Sequence, residues 1–327
     1  MNRHSMSRRW ATLCVLAAPL LVSAQSAQKP LRLVVPFPAG GATDLLARSL
    51  AQRLGQGLGT TVVVENRAGA GGTLGSAEVA KAAPDGYTLL LSTSSTHAVG
   101  PHLSPNLPYK ALGPDMDFTP IAHVANAPNV VLVPLSLPVS NIKEFVAYAK
   151  ARPGQLNYAS SGNGTIVQLT AEAFKAQAGV FITHIPYRGT ALSIPDLVSG
   201  KVHLLFDSVV SGMPHVKDGK LKALAVTSET RSALAPELPT VAESGLPGFV
   251  SNTWFGVYGP KGLAADVTAR INTEINAALK SADVQERFAR LGAVPAPPNT
   301  PTQFAAMVAA DSERWARIIK DRKITAE

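Results

Sequence analysis

The chain has 327 residues, 46% hydrophobic and 16% charged, with 30 basic and 22 acidic side chains and one cysteine. Lys and Arg are scattered and aromatics make up only 6%, which argues against a nucleic-acid surface. The lone thiol, Cys14, falls in the N-terminal leader, so disulfides, thiolate nucleophiles and cysteine-ligated zinc are excluded from the rest of the chain.

That leader has the form of a secretory signal peptide. Arg3, Arg8 and Arg9 precede an apolar run from Trp10 to Val22, and Val22-Ser23-Ala24 is a small-residue cleavage pattern. The expected leader is 1–24, with cleavage after Ala24 or as late as Ala27, and Ser7-Arg8-Arg9 leaves the twin-arginine route open. The run is short for a membrane span, so cleavage is expected rather than anchoring. Without the three arginines, 27 basic residues face 22 acidic ones, a charge of +5. Such a mild field gathers small anions. An exported domain without disulfides depends on its core, and a chain of about 300 residues buries enough surface to supply one. No later stretch has the length of a membrane helix, so the mature chain is not expected to carry a solute across a bilayer itself.

Leu31 to Leu54 sets the pattern for the rest of the chain. Leu31, Leu33, Val34 and Val35 read as a buried parallel strand stopped by Pro36 and Pro38. Gly40 and Gly41 open a turn, Thr43 or Asp44 is placed to cap a helix, and Leu45, Leu46, Leu50 and Leu54 recur at helical spacing. A helix start offers backbone N–H groups with no partner inside the helix, a site that favours an anion. The same turn also fits an ordinary strand–helix unit closed by its own Asp44. Neither a P-loop nor a G-x-G-x-x-G spacing is present, since Gly69, Gly71, Gly72 and Gly75 miss it.

The rhythm then repeats. Thr61 to Glu65 is a strand, Gly69 to Ala83 a glycine turn and helix, and Tyr87 to Ser92 a strand running into Thr93, Ser94, Ser95 and Thr96. Hydroxyls at a strand's carboxyl end suit a ligand in an open α/β sheet, and equally an ordinary Ser/Thr turn. Residues 97–120 read as an irregular excursion. Asn129 to Pro134 is the next strand, and Asn141 with Glu144 forms a capping box for a helix reaching Arg152. Leu156 to Ala159 leads into Ser160, Ser161, Gly162, Asn163, Gly164 and Thr165, then a helix carrying Ile166, Leu169, Ala173 and Phe174 up to Gly179. This is a second candidate anion turn, with glycines for close backbone approach and hydroxyl donors; a plain N-cap by Thr165 is the alternative. Further strands are expected at Phe181 to Pro186, Val202 to Phe206 and Leu221 to Thr227, with Asp207 at the end of the second. That carboxylate suits a ligand amine or hydroxyl, or a cap on the next segment. Trp254 to Pro260 is a last strand before three helices whose stripes, Val267 to Leu279, Val284 to Leu291 and Phe304 to Ile319, read as core packing.

The pieces VVPFPAGGATDLLAR (34–48), VVVENRAGAGGTLG (62–75), PDGYTLL (84–90), LPY (107–109), DFTPI (117–121), SSGNGT (160–165), HIPYRG (184–189), GKLKALAVT (219–227), LPTVAESGLPGF (238–249) and WFGVYGP (254–260) together carry a resemblance. Over nearly its whole mature length the chain resembles the extracytoplasmic solute receptors of tripartite tricarboxylate transporters, the Bug family. The resemblance implies an α/β chain with the periplasmic binding protein type II fold, two α/β lobes with a ligand cleft between them. Lobe one would comprise 28–126 with 250–327, and lobe two 127–249. It implies a monomer in the periplasm that encloses a small organic carboxylate and hands it to the membrane permease subunits of such a transporter, with no cofactor, metal or catalysis. Phe37, Ala39, Gly40, Gly41 and Thr43 on one side, and Ser160, Ser161, Gly162, Asn163, Gly164 and Thr165 on the other, would hold the ligand. Thr93, Ser94 and Asp207 would line the same cleft and tune selectivity. Many relatives carry His where this chain has Gln168, and no role is carried over there. A receptor that signals to a membrane sensor kinase would use the same binding chemistry. An exported hydrolase built on Ser161, His184 and Asp207 is the rival of another class, but no G-x-S-x-G elbow or H-E-x-x-H helix accompanies those residues.

Overall fold

The first apolar run does form the expected parallel strand, β1 (Leu31–Val35), between β2 (Val62–Asn66) and β3 (Thr88–Thr93). The computed structural model describes residues 29–104, 106–232, 235–321 and 324–325, so the expected leader and Cys14 lie outside the described residues. Helix α1 (Ala42–Leu58) covers β1 with Leu46, Leu50 and Leu54 fully buried, and Gly59 in the left-handed conformation ends it. Helix α2 (Thr73–Ala80) links β2 to β3.

After β3 the chain departs from expectation. The expected irregular excursion over 97–120 holds only for the described residues between α3 (Gly100–Leu103) and Phe118, since a π-helical turn at Ser95–Val99 runs into α3 at its start. The next strand is also far longer than Asn129 to Pro134. Strand β4 covers Phe118–Pro134, with register shifts between Pro120 and Ala122 and between His123 and Ala125. Those irregularities and its two internal prolines erase the strand's two-residue alternation. Residues 118–128 of β4 pair with β9 (Asn252–Pro260), while residues 129–134 pair with β7 (Leu204–Ser208) and β8 (Leu221–Val226).

The second half repeats the plan. The capping box forms around α4 (Ile142–Lys150): Asn141 Oδ1 accepts the Glu144 N–H at 2.9 Å, and Glu144 reaches back to the Ser140 N–H at 2.7 Å. Strand β5 (Asn157–Ser160) lies parallel between β6 (Thr183–Pro186) and β7, with α5 (Ile166–Ala178) and α6 (Ile194–Val198) in the crossovers. Helix α7 (Val209–Lys217) comes directly after β7; its Gly212 and Pro214 hid it in the sequence.

The strand order is β2-β1-β3-β9-β4 in one half and β6-β5-β7-β4-β8 in the other. Each half is thus a parallel trio completed by a long crossing strand, and β4 serves both. Helices α8 (Ala265–Lys280), α9 (Ala282–Leu291) and α10 (Pro301–Asp321), with the short strand β10 (Val294–Pro295), pack on the first half. Phe304 and Trp315 are buried there, and Asp311 accepts the indole N–H groups of both Trp254 and Trp315. Among the described residues no helix is long and apolar enough to cross a membrane. The carboxyl ends of β1, β3, β5 and β7 all face the line where the halves meet.

Candidate functional site

The first turn is built so that only part of it is free. The N-cap of α1 is Gly41, without a side-chain cap, rather than Thr43 or Asp44. Asp44, 2% exposed, instead accepts the Gly40 N–H at 3.0 Å, together with Arg48 and the Asn66 amide. Burial alone would raise its carboxyl, but the hydrogen bonds from Arg48, Gly40 and Asn66 hold it below the usual carboxylate range. The Gly40 amide is therefore occupied. The N–H groups of Ala42 and Thr43 have no partner among the described residues, and they stand at the positive end of the α1 dipole.

The second turn is likewise tied from within. Thr165 is the N-cap of α5 and also donates to the Gly162 carbonyl at 2.8 Å. Gln168 accepts the Gly164 N–H at 2.7 Å and lies 3.4 Å from His184 Nδ1. His184 Nε2 is 2.6 Å from Ser160 Oγ, which accepts the Gly162 N–H and donates to the Gly162 carbonyl. One tautomer, with the His184 proton on Nε2, satisfies that whole chain of groups. Gln168 thus ties the turn to β6. The Val167 N–H has no partner among the described residues, while Ile166 donates to Ser95 Oγ at 3.1 Å from across the cleft.

Between the turns lies a cavity with about 470 Å³ of interatomic space, part of it open to solvent. Of the expected site residues, Phe37, Gly41, Thr43, Thr93, Ser161 and Asp207 line it. Ala39 and Gly40 are exposed at the rim, and Ser94 is buried away from it. Ser160, Gly164 and Thr165 are spent inside their own turn. Gly162 and Asn163 border a second hollow with Gly71, Ser104 and Arg188. At the seam the halves touch through backbone: a Cβ on Gly71 would lie 2.7 Å from the Asn163 carbonyl, and one on Gly189 would lie 2.3 Å from the Pro38 ring.

Among the described residues, Asp207 is the one ionisable side chain lining the cavity. Burial pushes its carboxyl up, opposed by the hydroxyls of Ser211 and Thr190, the Ser208 N–H and the charge of His215. Sequence reasoning missed Asn129, Ile166, Val167, Thr190, Ser208, Thr253 and Phe255, which also line it. Ile166 and Val167 had a usable signal, as the first two residues of a helix after a glycine turn. Asn129 and Thr253 had none, because they meet only through the pairing of β4 with its neighbours.

The arrangement therefore offers free amides from two facing helix starts, hydroxyls between them, and, among the described residues, no lysine, arginine or histidine in the lining. The model of the tripartite tricarboxylate transporter family receptor matches residues 46–324. Protein BugT of Bordetella pertussis is 40% identical over 307 residues, covering 94% of this chain and 93% of that protein. Among solved structures, R. palustris Rpa4515 with adipate has a TM-score of 0.87 and 36% identity, covering 91% of this chain and 98% of that one. MatC of Rhodopseudomonas palustris with bound malate has a TM-score of 0.84 and 34% identity, covering 89% of this chain and 98% of that one. The fold is thus the two-lobed type II periplasmic binding protein fold, and the chain belongs to the tripartite tricarboxylate transporter receptor family.

Proposed function

We propose that this chain captures a small organic carboxylate between its two halves by peptide N–H groups rather than by a cationic side chain. The observation that carries this reading is the pair of helix starts, Ala42–Thr43 and Val167, opening on one cavity between the halves with the Ser161 hydroxyl beside them. Charge-assisted hydrogen bonds from such donors are strong when water is excluded, and each helix dipole adds ~0.3–2 kcal/mol. The adipate and malate in two neighbouring structures are ligands of that class.

The lobes are 28–126 with 250–327 and 127–249, in keeping with the change of partners along β4 at Asn129. The chain acts in the periplasm as a monomer, after loss of its leader, and its closed form docks on the permease subunits of a tripartite transporter. It binds without catalysis: the Ser160–His184 pair resembles a hydrolytic dyad, but Ser160 is fully buried and its proton is spent on the Gly162 carbonyl.

A panel of mono-, di- and tricarboxylates tested by thermal melting checks the reading. A ligand at ~100 times its Kd adds ~2.7 kcal/mol to stability and raises the Tm. No shift with any acid in the panel would sink it, and turnover of a bound acid would move the protein to the enzymes.

A further inference from the structure

Strand β4 changes partners at Pro128–Asn129, and beside that point Ser251 leads into β9. Thr227, the residue after β8, ties the two segments together. Its hydroxyl accepts the Asn129 N–H at 2.9 Å and donates to the Ser251 carbonyl. Its own N–H donates to the Asn129 carbonyl at 2.8 Å, and its carbonyl accepts the Ser251 N–H at 2.9 Å.

From Ser251 the line of hydroxyls continues to the start of α5. Ser251 Oγ lies 2.6 Å from Thr170 Oγ1, which donates to the Ile166 carbonyl at 2.7 Å. A carbonyl only accepts, so Thr170 gives its proton to Ile166 and takes that of Ser251. Asn129, Thr227 and Thr170 are fully buried, and Ser251 and Ile166 nearly so. A threonine bonded to the carbonyl four residues back is common in helices; one that also takes a proton from a residue 81 positions away is fixed by the tertiary structure. The Ile166 carbonyl and the Val167 N–H belong to one peptide unit, and that unit is planar and rigid. Holding the oxygen therefore aims the N–H at the other end, and each hydrogen bond the oxygen accepts polarises the unit into a stronger donor. The Val167 N–H is the α5 donor left open at the cavity.

We propose that Thr170 and Ser251 are positioning residues for ligand capture: their paired hydroxyls hold the Ile166–Val167 peptide against the joined β4 and β9 segments and so set the direction of the Val167 donor. Neither residue lines the cavity, so both act without touching the ligand. This rests on the carboxylate-capture reading above and deepens it.

Acetate, succinate, adipate, L-malate, benzoate and citrate, titrated calorimetrically into the wild-type protein, select the acid bound tightest. That acid is then titrated into Thr170→Val, Thr170→Ser, Ser251→Ala and the double variant Thr170→Val with Ser251→Ala. Thr170→Val and Ser251→Ala should each weaken binding about threefold to tenfold, the scale of one hydrogen bond. Thr170→Ser, which keeps the hydroxyl, should bind like wild type, and the double variant should be no weaker than the weaker single one. A purely structural role would lower the ligand-free Tm and leave affinity alone. Single variants that bind within about twofold of wild type would thus overturn the inference and leave carboxylate capture standing. So would Thr170→Ser as weak as Thr170→Val, or losses that add in the double variant. Binding of none of the acids by wild type would overturn carboxylate capture itself and the inference with it. Ser251→Ala, which removes a single oxygen, decides the matter if Thr170→Val fails to fold.

Discussion

Ser95, at the end of β3, accepts the backbone N–H of Ile166, the first residue of α5, at 3.1 Å across the cleft. The bond joins the two halves directly. Ser95→Ala leaves that N–H unpaired in the closed form, at a cost of ~0.5–1.5 kcal/mol, so ligand affinity should fall about two- to twelvefold. Calorimetric titration measures the loss, and the ligand-free Tm should stay close to wild type.

Gly71 permits the close approach of the two halves by its lack of a side chain. It adopts φ +63°, and a Cβ there would meet the Asn163 carbonyl of the other half at 2.7 Å. Gly71→Ala should cost the ligand-free protein only ~1–2 kcal/mol of backbone strain. It should weaken ligand binding by about tenfold or more, because the obstruction acts on the closed form alone. Equal affinity in the variant would show that the seam does not set the closing equilibrium.

His97 governs the expected acid limb. Its ring is fully buried, stacked 4.2 Å from Tyr258 and edge-on to Phe118 at 4.6 Å. Burial pushes its pKa down from 6.5 to about 3. The unfolded chain takes up this proton near pH 6.5 and the native chain does not. The stabilising difference is therefore complete above that pH and is lost as pH falls toward about 3, by up to ~5 kcal/mol. His97→Gln keeps an acceptor for Ser92 and removes the titration, so Tm should fall less steeply between about pH 7 and about pH 4.

Gly256 sits in β9, paired with Ser92 and His123, beneath the Phe304 ring. A Cβ there would lie 2.1 Å from the ring. Gly256→Ala should push Phe304 off Trp254 and Tyr258 and cost ~1–3 kcal/mol, read as a lower denaturation midpoint with unchanged m.

Local chemistry made both strand–turn–helix units legible in the sequence. The β1 run, the Asn141–Glu144 box and the glycine turns each declare themselves within a few residues. What stayed hidden depends on distant partners. Phe118 to Pro128 shows no strand pattern in the sequence because its prolines and bulges break the alternation, and it is a strand through its pairing with β9. The donor positions were also misjudged: Gly40 and Gly164 look free in sequence, yet Asp44 and Gln168 take their amides and leave Ala42, Thr43 and Val167. The far wall was illegible for a simpler reason, since Asn129 and Thr253 are 124 positions apart.

A cavity whose positive character comes from peptide dipoles has, among the described residues, no lysine to lose its proton in alkali. Raising the pH well above neutrality should then strip no positive charge from the lining that holds the carboxylate.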